Sequence, residues 1–326
     1  MHARSRTLLS AAFSFLLFCI ALWAIQQSLG HQDPRDILRS IADLPLKNIG
    51  WASVLAVINY LFVAGIDVLA ARYAGRPISY RRLFIPSFIG ATFQYNAGVF
   101  GGTAVRFRLY SSLGFSPREI GKVMVFVLIA FSSGFLVLTG LALLWNPLAL
   151  PGTARFPWWP ELAGVLLLVS TAAYFWLCAR GKPLHIFRWH LTFPRLRASV
   201  LQVLLAAVDW IVSTGVLYVL LPPAGRASFP LCVVIFMLAH NVGTASNAPG
   251  GLGVFEATVL HLLPTASAPT EILASLLAYR GIHFVFPLLV AAVLLGQREL
   301  KIRRDHGKPV PTSNWDAIAK GIQKPK

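Results

Sequence analysis

The polar residues that interrupt the apolar stretches of this chain gather around two glycine pairs. One lies in Asn96-Ala97-Gly98-Val99-Phe100-Gly101-Gly102, with Arg106 shortly after it. The other lies in Asn247-Ala248-Pro249-Gly250-Gly251-Leu252-Gly253-Val254-Phe255-Glu256. Glycine pairs beside Asn and Pro break helices, and irregular backbone at membrane depth is tolerated only where protein or a water-filled cavity satisfies it. The competing reading is close helix packing through small residues, which Pro249 and the flanking Asn residues disfavour. A helix restarting after Gly102 or Gly251 would aim free N–H groups and a positive dipole end into such a cavity. That end suits a phosphate. Glu256 falls in the first turn of its restarted helix, where an acid is stabilised. Arg106 holds the corresponding place in the first segment, where a cation needs an anion nearby, and a lipid phosphate would serve. Its other reading is a side chain snorkelling to the headgroups.

Further ionisable groups lie within the apolar runs. Asp67 and Asp209 are costly there unless paired or wet, and can pair with arginines, relay protons or meet a cationic headgroup. Asp67 is close to Arg72 and so to the interface, whereas Asp209 is deeper. Arg280, a third of the way into the last helix, is a candidate partner for Glu256 or Asp209. His240 and Asn241 precede the second break and would line the same cavity, although a lone His is more often a structural hydrogen bonder. No P-loop, H-E-x-x-H or aspartate-rich metal motif occurs, and the glycine segments follow no strand, so they are not nucleotide fingerprints. No cofactor or metal is expected. Cys19, Cys178 and Cys232 are scattered, with no ligand or disulfide spacing.

The elements that would position these groups are membrane helices. Hydrophobic residues make up 56% of the 326 residues, charged residues 13%, and mean hydropathy is +0.66. A soluble domain carries roughly 25% charged residues. The fold class expected is all-α, a polytopic transmembrane bundle. Full spans are predicted near 8–29, 49–74, 120–145, 158–179, 199–221 and 271–296, with the interrupted segments at 83–105 and 229–263. The run 8–29 is too long for a signal-peptide core and reads as an uncleaved first helix. The net charge of +17 lies in short loops beside the spans, which the positive-inside rule and anionic headgroups explain without nucleic acid.

Charge also assigns the sides. Arg4 and Arg6, then Arg72, Arg76, Arg81 and Arg82, the loop from Arg180 to Arg197, and Arg298 to Arg304 all belong in the cytoplasm. A single crossing by 83–105 would invert every later loop and put the cations of 180–197 outside. The segment is therefore expected to enter from the cytoplasm and return, while 229–263 enters from the outside as a re-entrant hairpin or a pair of spans. Ser116-Pro117-Arg118-Glu119 reads as a capping box with Pro at N1, and Thr270-Glu271 opens the last helix. Residues 1–296 form the expected membrane domain and 297–326 a basic cytoplasmic tail. In the tail, Trp315, Ile318, Ala319 and Ile322 suit a short interfacial helix or a disordered segment.

The two interrupted segments also resemble each other. Aligning their Gly-Gly pairs matches Val105 with Val254. Asp67 and Asp209 sit in the preceding helices, and each segment is followed by a long apolar helix. With opposite orientations, this is the layout of an inverted repeat with broken helices, whose site lies between the halves near mid-membrane.

Asn247 to Glu256 resembles the P-G-G-[IL]-G-x-[FYR]-E motif of the lysylphosphatidylglycerol synthase transmembrane-region family. Gly101-Gly102-x3-Arg106-x2-Leu109-Tyr110 with Gly114 is similar to that family's other motif. The resemblance covers nearly the whole chain and implies movement of lipid between leaflets, of aminoacylated phosphatidylglycerol in one branch. No soluble aminoacyl-transferase domain is expected, so lysyl transfer is not carried over. The function expected is a bacterial inner-membrane flippase for a phospholipid or related anionic or aminoacylated lipid, with both termini cytoplasmic. Membrane phospholipids are the expected partners. Residues placed at the lipid are Asn96, Gly101, Gly102, Arg106, Asp209, Asn247, Pro249, Gly250, Gly251, Glu256 and Arg280, with Asp67 and His240 beside them. The alternative is an accessory subunit, without transport, of a lipid- or glycolipid-modifying enzyme, for instance in hopanoid synthesis.

Overall fold

The computed structural model describes residues 34–145, 158–181, 184–186, 189–191, 193–223, 227–246, 248–264 and 267–306. The expected first span at 8–29, Asn247 and the tail helix lie outside the described residues. A short helix α1 (Pro34–Ala42) precedes α2 (Leu46–Tyr73), and α1 packs on a helix near the other end of the chain. The long apolar helices follow the predicted runs closely. They are α2, α4 (Pro117–Trp145), α5 (Trp159–Arg180), α6 (Leu196–Leu220) and a last rod formed by α9 (Pro269–Arg280), a π turn (Gly281–Val285) and α10 (Phe286–His306). Five of these stretches are long and apolar enough to cross a membrane.

Small residues set the helix contacts, as they must where lipid gives no hydrophobic drive for association. The bundle is centred on α2 and α6, which run antiparallel. A β-carbon on Gly65 would touch Leu205, and one on Gly215 would touch Leu55. Helix α4 crosses α6 where a β-carbon on Gly134 would lie 2.7 Å from that of Ala206. Gly140 and Gly164 bring α4 and α5 together, each facing the other's carbonyl at about 3 Å. The outward face of α5 is apolar and exposed at Leu162, Val165, Leu166 and Val169, as a lipid-facing helix should be. After α5 a small antiparallel pair, β1 (Leu184–Ile186) and β2 (Trp189–Leu191), joins it to α6, with Leu184 opposite Leu191.

The first interrupted segment is a helical hairpin, α3 (Tyr80–Ser112), folded at Gly98, whose φ is 72° and ψ −175°. This corrects the expected restart after Gly102. The pair Gly101-Gly102 lies inside the returning arm, where Gly102 allows close approach. A β-carbon there would sit 2.5 Å from Gln94 Cα on the entering arm. Gly90 likewise faces Arg106 across the hairpin. Both ends of α3 therefore stay at one end of the bundle. Arg76 reaches the carbonyl of Gly114 and lies 3.5 Å from Glu119, and Arg298 bonds Ser112 at 2.8 Å. The capping box at the start of α4 is present, with Glu119 accepting the Ser116 N–H at 2.7 Å.

The second segment is also a hairpin, formed by α7 (Phe229–Ala245), a 3-10 turn (Pro249–Gly251) and α8 (Val254–Leu262). Gly243 and Gly251 touch across it, a β-carbon on Gly251 falling 3.0 Å from Gly243 Cα. Gly250, Gly251 and Gly253 have φ of 60°, 65° and 82°, the left-handed region that only glycine adopts freely. The helix consequently restarts at Val254, later than Gly251, and Glu256 caps it by accepting the Gly253 N–H at 2.8 Å. This hairpin opens toward the opposite end of the bundle, where Ser275 bonds the carbonyl of Leu220. Helix α9 starts there at Pro269, with Ala268 as N-cap and Glu271 in the first turn.

Candidate functional site

The hairpins meet tip to tip. A β-carbon on Gly250 would lie 3.3 Å from the carbonyl of Tyr95 and 3.9 Å from that of Asn96. Each hairpin also carries a buried acid–arginine pair one or two turns below its tip.

In the first pair, Asp67 of α2 is completely buried and is held by both arms of α3. It accepts from Ser87 at 2.5 Å on the entering arm, and from Tyr110 at 2.8 Å and Arg106 at 3.3 Å on the returning arm. Asp67 is thus a core residue of the bundle. Arg106 lies two turns past Gly98, beyond the free N–H groups of a helix start, and Asp67 supplies its anion. Its Nε is buried without a partner among the described residues.

In the second pair, Glu256 binds Arg280 Nε through one oxygen and the Gly253 N–H through the other. Arg280 also donates to the carbonyl of Gly250 at 2.9 Å. Its guanidinium stands 5.4 Å from the ring centre of Phe284 and 5.9 Å from that of Phe255. Arg280 therefore ties the tip of the second hairpin to its returning helix.

Between the pairs lies an aromatic layer. His283 stacks on Tyr279 at 5.2 Å, Tyr95 at 5.9 Å and Tyr60 at 6.0 Å. The π turn frees carbonyls from the helical ladder, and neighbours satisfy them. Tyr60 donates to His283 O at 3.1 Å and Asn96 to Phe284 O at 3.3 Å. Such turns often mark functional positions. Asp209 sits at the same depth, bonded by Asn59 Nδ2 at 2.7 Å. His240 packs its ring edge-on to Trp210 at 4.8 Å, beside Asp209 in sequence and apart from both arginines' carboxylates. Asn241 bonds back to Met237 on its own helix and is exposed. Pro249 forms the 3-10 turn.

Chemically, each pair is a carboxylate–guanidinium ion pair, and a guanidinium of this kind can donate bidentately to a phosphate in place of its carboxylate. The released carboxylate is then free for a cationic group. Sequence reasoning named Asp67, Arg106, Asp209, Glu256 and Arg280 but missed Asn59, Ser87, Gly90, Ser213 and His283. A lone amide such as Asn59 in an apolar helix is itself a signal, since a polar group there demands a partner.

The family model described as "Lysylphosphatidylglycerol synthase TM region" matches residues 8–291. An uncharacterized protein of Synechocystis sp., slr0712, is 34% identical over 301 residues, covering 89% of this chain and 91% of that one. The inner membrane protein YbhN of Escherichia coli K12 is 30% identical, over 76% of this chain and 80% of its own. A phosphatidylglycerol lysyltransferase of Staphylococcus xylosus is 26% identical over 90% of this chain but 34% of its own length. With its paired hairpins and their buried acid–arginine locks, this polytopic membrane protein belongs to the lysylphosphatidylglycerol synthase transmembrane-region family.

Proposed function

We propose that the chain moves a phospholipid, or a related anionic or aminoacylated lipid, between leaflets of a bacterial inner membrane, without lysyl transfer. The observation that carries this reading is the meeting of two oppositely directed re-entrant hairpins, each holding its own buried carboxylate–arginine pair. Arg106 and Arg280 hold the lipid phosphate in turn, one on each side of the aromatic layer. Asp67 and Glu256, displaced from them, receive a cationic headgroup where the lipid has one. The tips, packed against each other, close the path between the two halves in this conformation, so the lipid passes by alternate opening of the hairpins. Membership of a family that includes a phosphatidylglycerol lysyltransferase supports a lipid substrate.

The cationic end is the cytoplasmic one in this reading. Arg72, Arg76, Arg81, Arg82, Arg118, Lys122, Arg197 and Arg298 fall at the end where α2 and α3 join and α6 begins, as the positive-inside rule requires.

The test is a fluorescent-lipid translocation assay in proteoliposomes containing the full chain. Wild type accelerates loss of accessible label from the outer leaflet, and Arg106→Ala and Glu256→Gln each abolish that acceleration. Rates unaltered by both substitutions would remove the site assignment. No acceleration by the wild type, in vesicles of phosphatidylglycerol with or without aminoacylated lipid, would remove the function.

A further inference from the structure

Among the described residues, three carboxylates lie in the bundle core, and they are not equivalent. Asp67 and Glu256 each face an arginine. Asp209, 1% exposed at the middle of α6, has no cation within ion-pair distance among the described residues. The group that bonds it is neutral. Asn59 Nδ2 lies 2.7 Å from Asp209 Oδ1, 2.7 Å from Ser213 Oγ and 3.2 Å from the Asp209 carbonyl, so an amide and not a cation meets this carboxylate among the described residues. The amide oxygen of the same Asn59 is buried with no donor among the described residues. A protonated Asp209 can donate to the Asn59 amide oxygen after a simple amide flip, since both amide positions fit the same outline.

An unpaired carboxylate in a medium of low polarity is held far more cheaply as the neutral acid than as the ion. The groups facing Asp209 do not change this. Helix α2 contributes Asn59 and Tyr60, the first hairpin Tyr95, α7 His240, α9 Tyr279 and the π turn His283. The nearest arginines, Arg106 and Arg280, are occupied by Asp67 and Glu256. From α4 only the carbonyl of Phe131 approaches, bonded by Trp210, and α5 offers Tyr174, which is bonded to Gln202 near the start of α6. Tyr60 and Tyr95 also place Asp209 against the layer that the hairpins must part to let a lipid through.

We propose that Asp209 is the proton carrier that couples lipid movement to the pH difference across the membrane, a role that rests on the flippase reading above. The acid takes a proton when its half of the site opens to water on one side. It is carried neutral through the closed state and releases the proton to the other side. The step is one O–H bond made and one broken, with no other reactant.

Two measurements on the full-length purified chain test it. In the first, a pH-difference infrared spectrum of the protein in lipid vesicles shows a protonated-carboxyl C=O band. Asp209→Asn removes the band, Asn59→Ala shifts its frequency, and Asp67→Asn and Glu256→Gln leave it in place. Absence of the band, or its survival in Asp209→Asn with the amide bands unchanged, overturns the proposal. In the second, a gradient of one pH unit imposed on proteoliposomes shifts the steady transbilayer distribution of labelled phosphatidylglycerol by about tenfold for one proton per lipid. Asp209→Asn loses that shift. Lipid movement by the wild type that ignores the gradient overturns proton coupling and leaves the flippase reading standing. No lipid movement under any gradient overturns both.

Discussion

Gly90 and Arg106 face each other across the first hairpin, and a β-carbon on Gly90 would lie 2.4 Å from Arg106 Cγ, well inside van der Waals contact. The glycine is what lets the arginine stem lie flat between the arms and bring its guanidinium to Asp67. Gly90→Ala should displace the Arg106 stem and weaken that pair. Overpacking of this kind costs about 1–3 kcal/mol, read as a lower Tm of the protein in detergent. Gly121→Ala, where nothing lies within 4 Å, should leave Tm unchanged or slightly raised.

The Asp67–Arg106 pair should behave as a unit. Removing one member leaves a buried charge without its partner, a loss of about 3–5 kcal/mol. Asp67→Leu and Arg106→Leu should each lower stability by that order, and the double substitution by less than the sum. A double-mutant cycle in chemical unfolding measures the coupling. Additive costs would mean that the two side chains act independently.

Gly250 sits where the tips touch, at φ 60° and 3.3 Å from the carbonyl of Tyr95 for any added β-carbon. Gly250→Ala should strain the turn and crowd both the Tyr95 carbonyl and the Arg280 guanidinium, each 3.3 Å from the added carbon, slowing lipid movement several-fold. Translocation rate and Tm, measured together, separate this effect from general unfolding.

The fold also fixes which positions share a side. In a cysteine-free background, Arg82→Cys, Arg118→Cys and Arg298→Cys should react with an impermeant maleimide from the cytoplasmic face only. Ser228→Cys and Glu271→Cys, both at exposed positions, should react from the opposite face only. Labelling of Arg82→Cys and Arg118→Cys from different faces would mean that α3 crosses the membrane.

The helices and the reversal of α3 were legible because composition, span length and loop charge are strong signals. Once 83–105 is required to return, the side of every later loop follows. The position of the fold was less legible. Gly98, Gly101 and Gly102 look alike in a sequence, and only tertiary contact shows that Gly98 bends the chain while Gly102 admits Gln94. The pairing of Arg106 with Asp67 escaped for the same reason. Placing the restart at Gly102 put Arg106 at a helix start, whereas the true bend puts it opposite Gly90, within reach of α2. Arg280 and Glu256 were narrowed to a pair of options because their spacing, across a helix end and a connection, fixes no geometry. Asn59 stands among apolar neighbours in α2, and nothing local indicates that its partner Asp209 is 150 residues away.

The bend at Gly98 has a consequence for how the protein is made. The residues of α3 number 33, and a straight helix of that length would measure about 50 Å, ample for a hydrocarbon core of about 30 Å. While it leaves the ribosome, then, the segment is physically able to thread through the bilayer, and doing so would turn the rest of the chain upside down. Arginines inside both of its ends, Arg81 and Arg82 in the first turn and Arg106 and Arg108 in the last two turns, oppose that passage. Insertion fidelity is therefore written at the edges of the hairpin, and the glycine only lets the chain obey it.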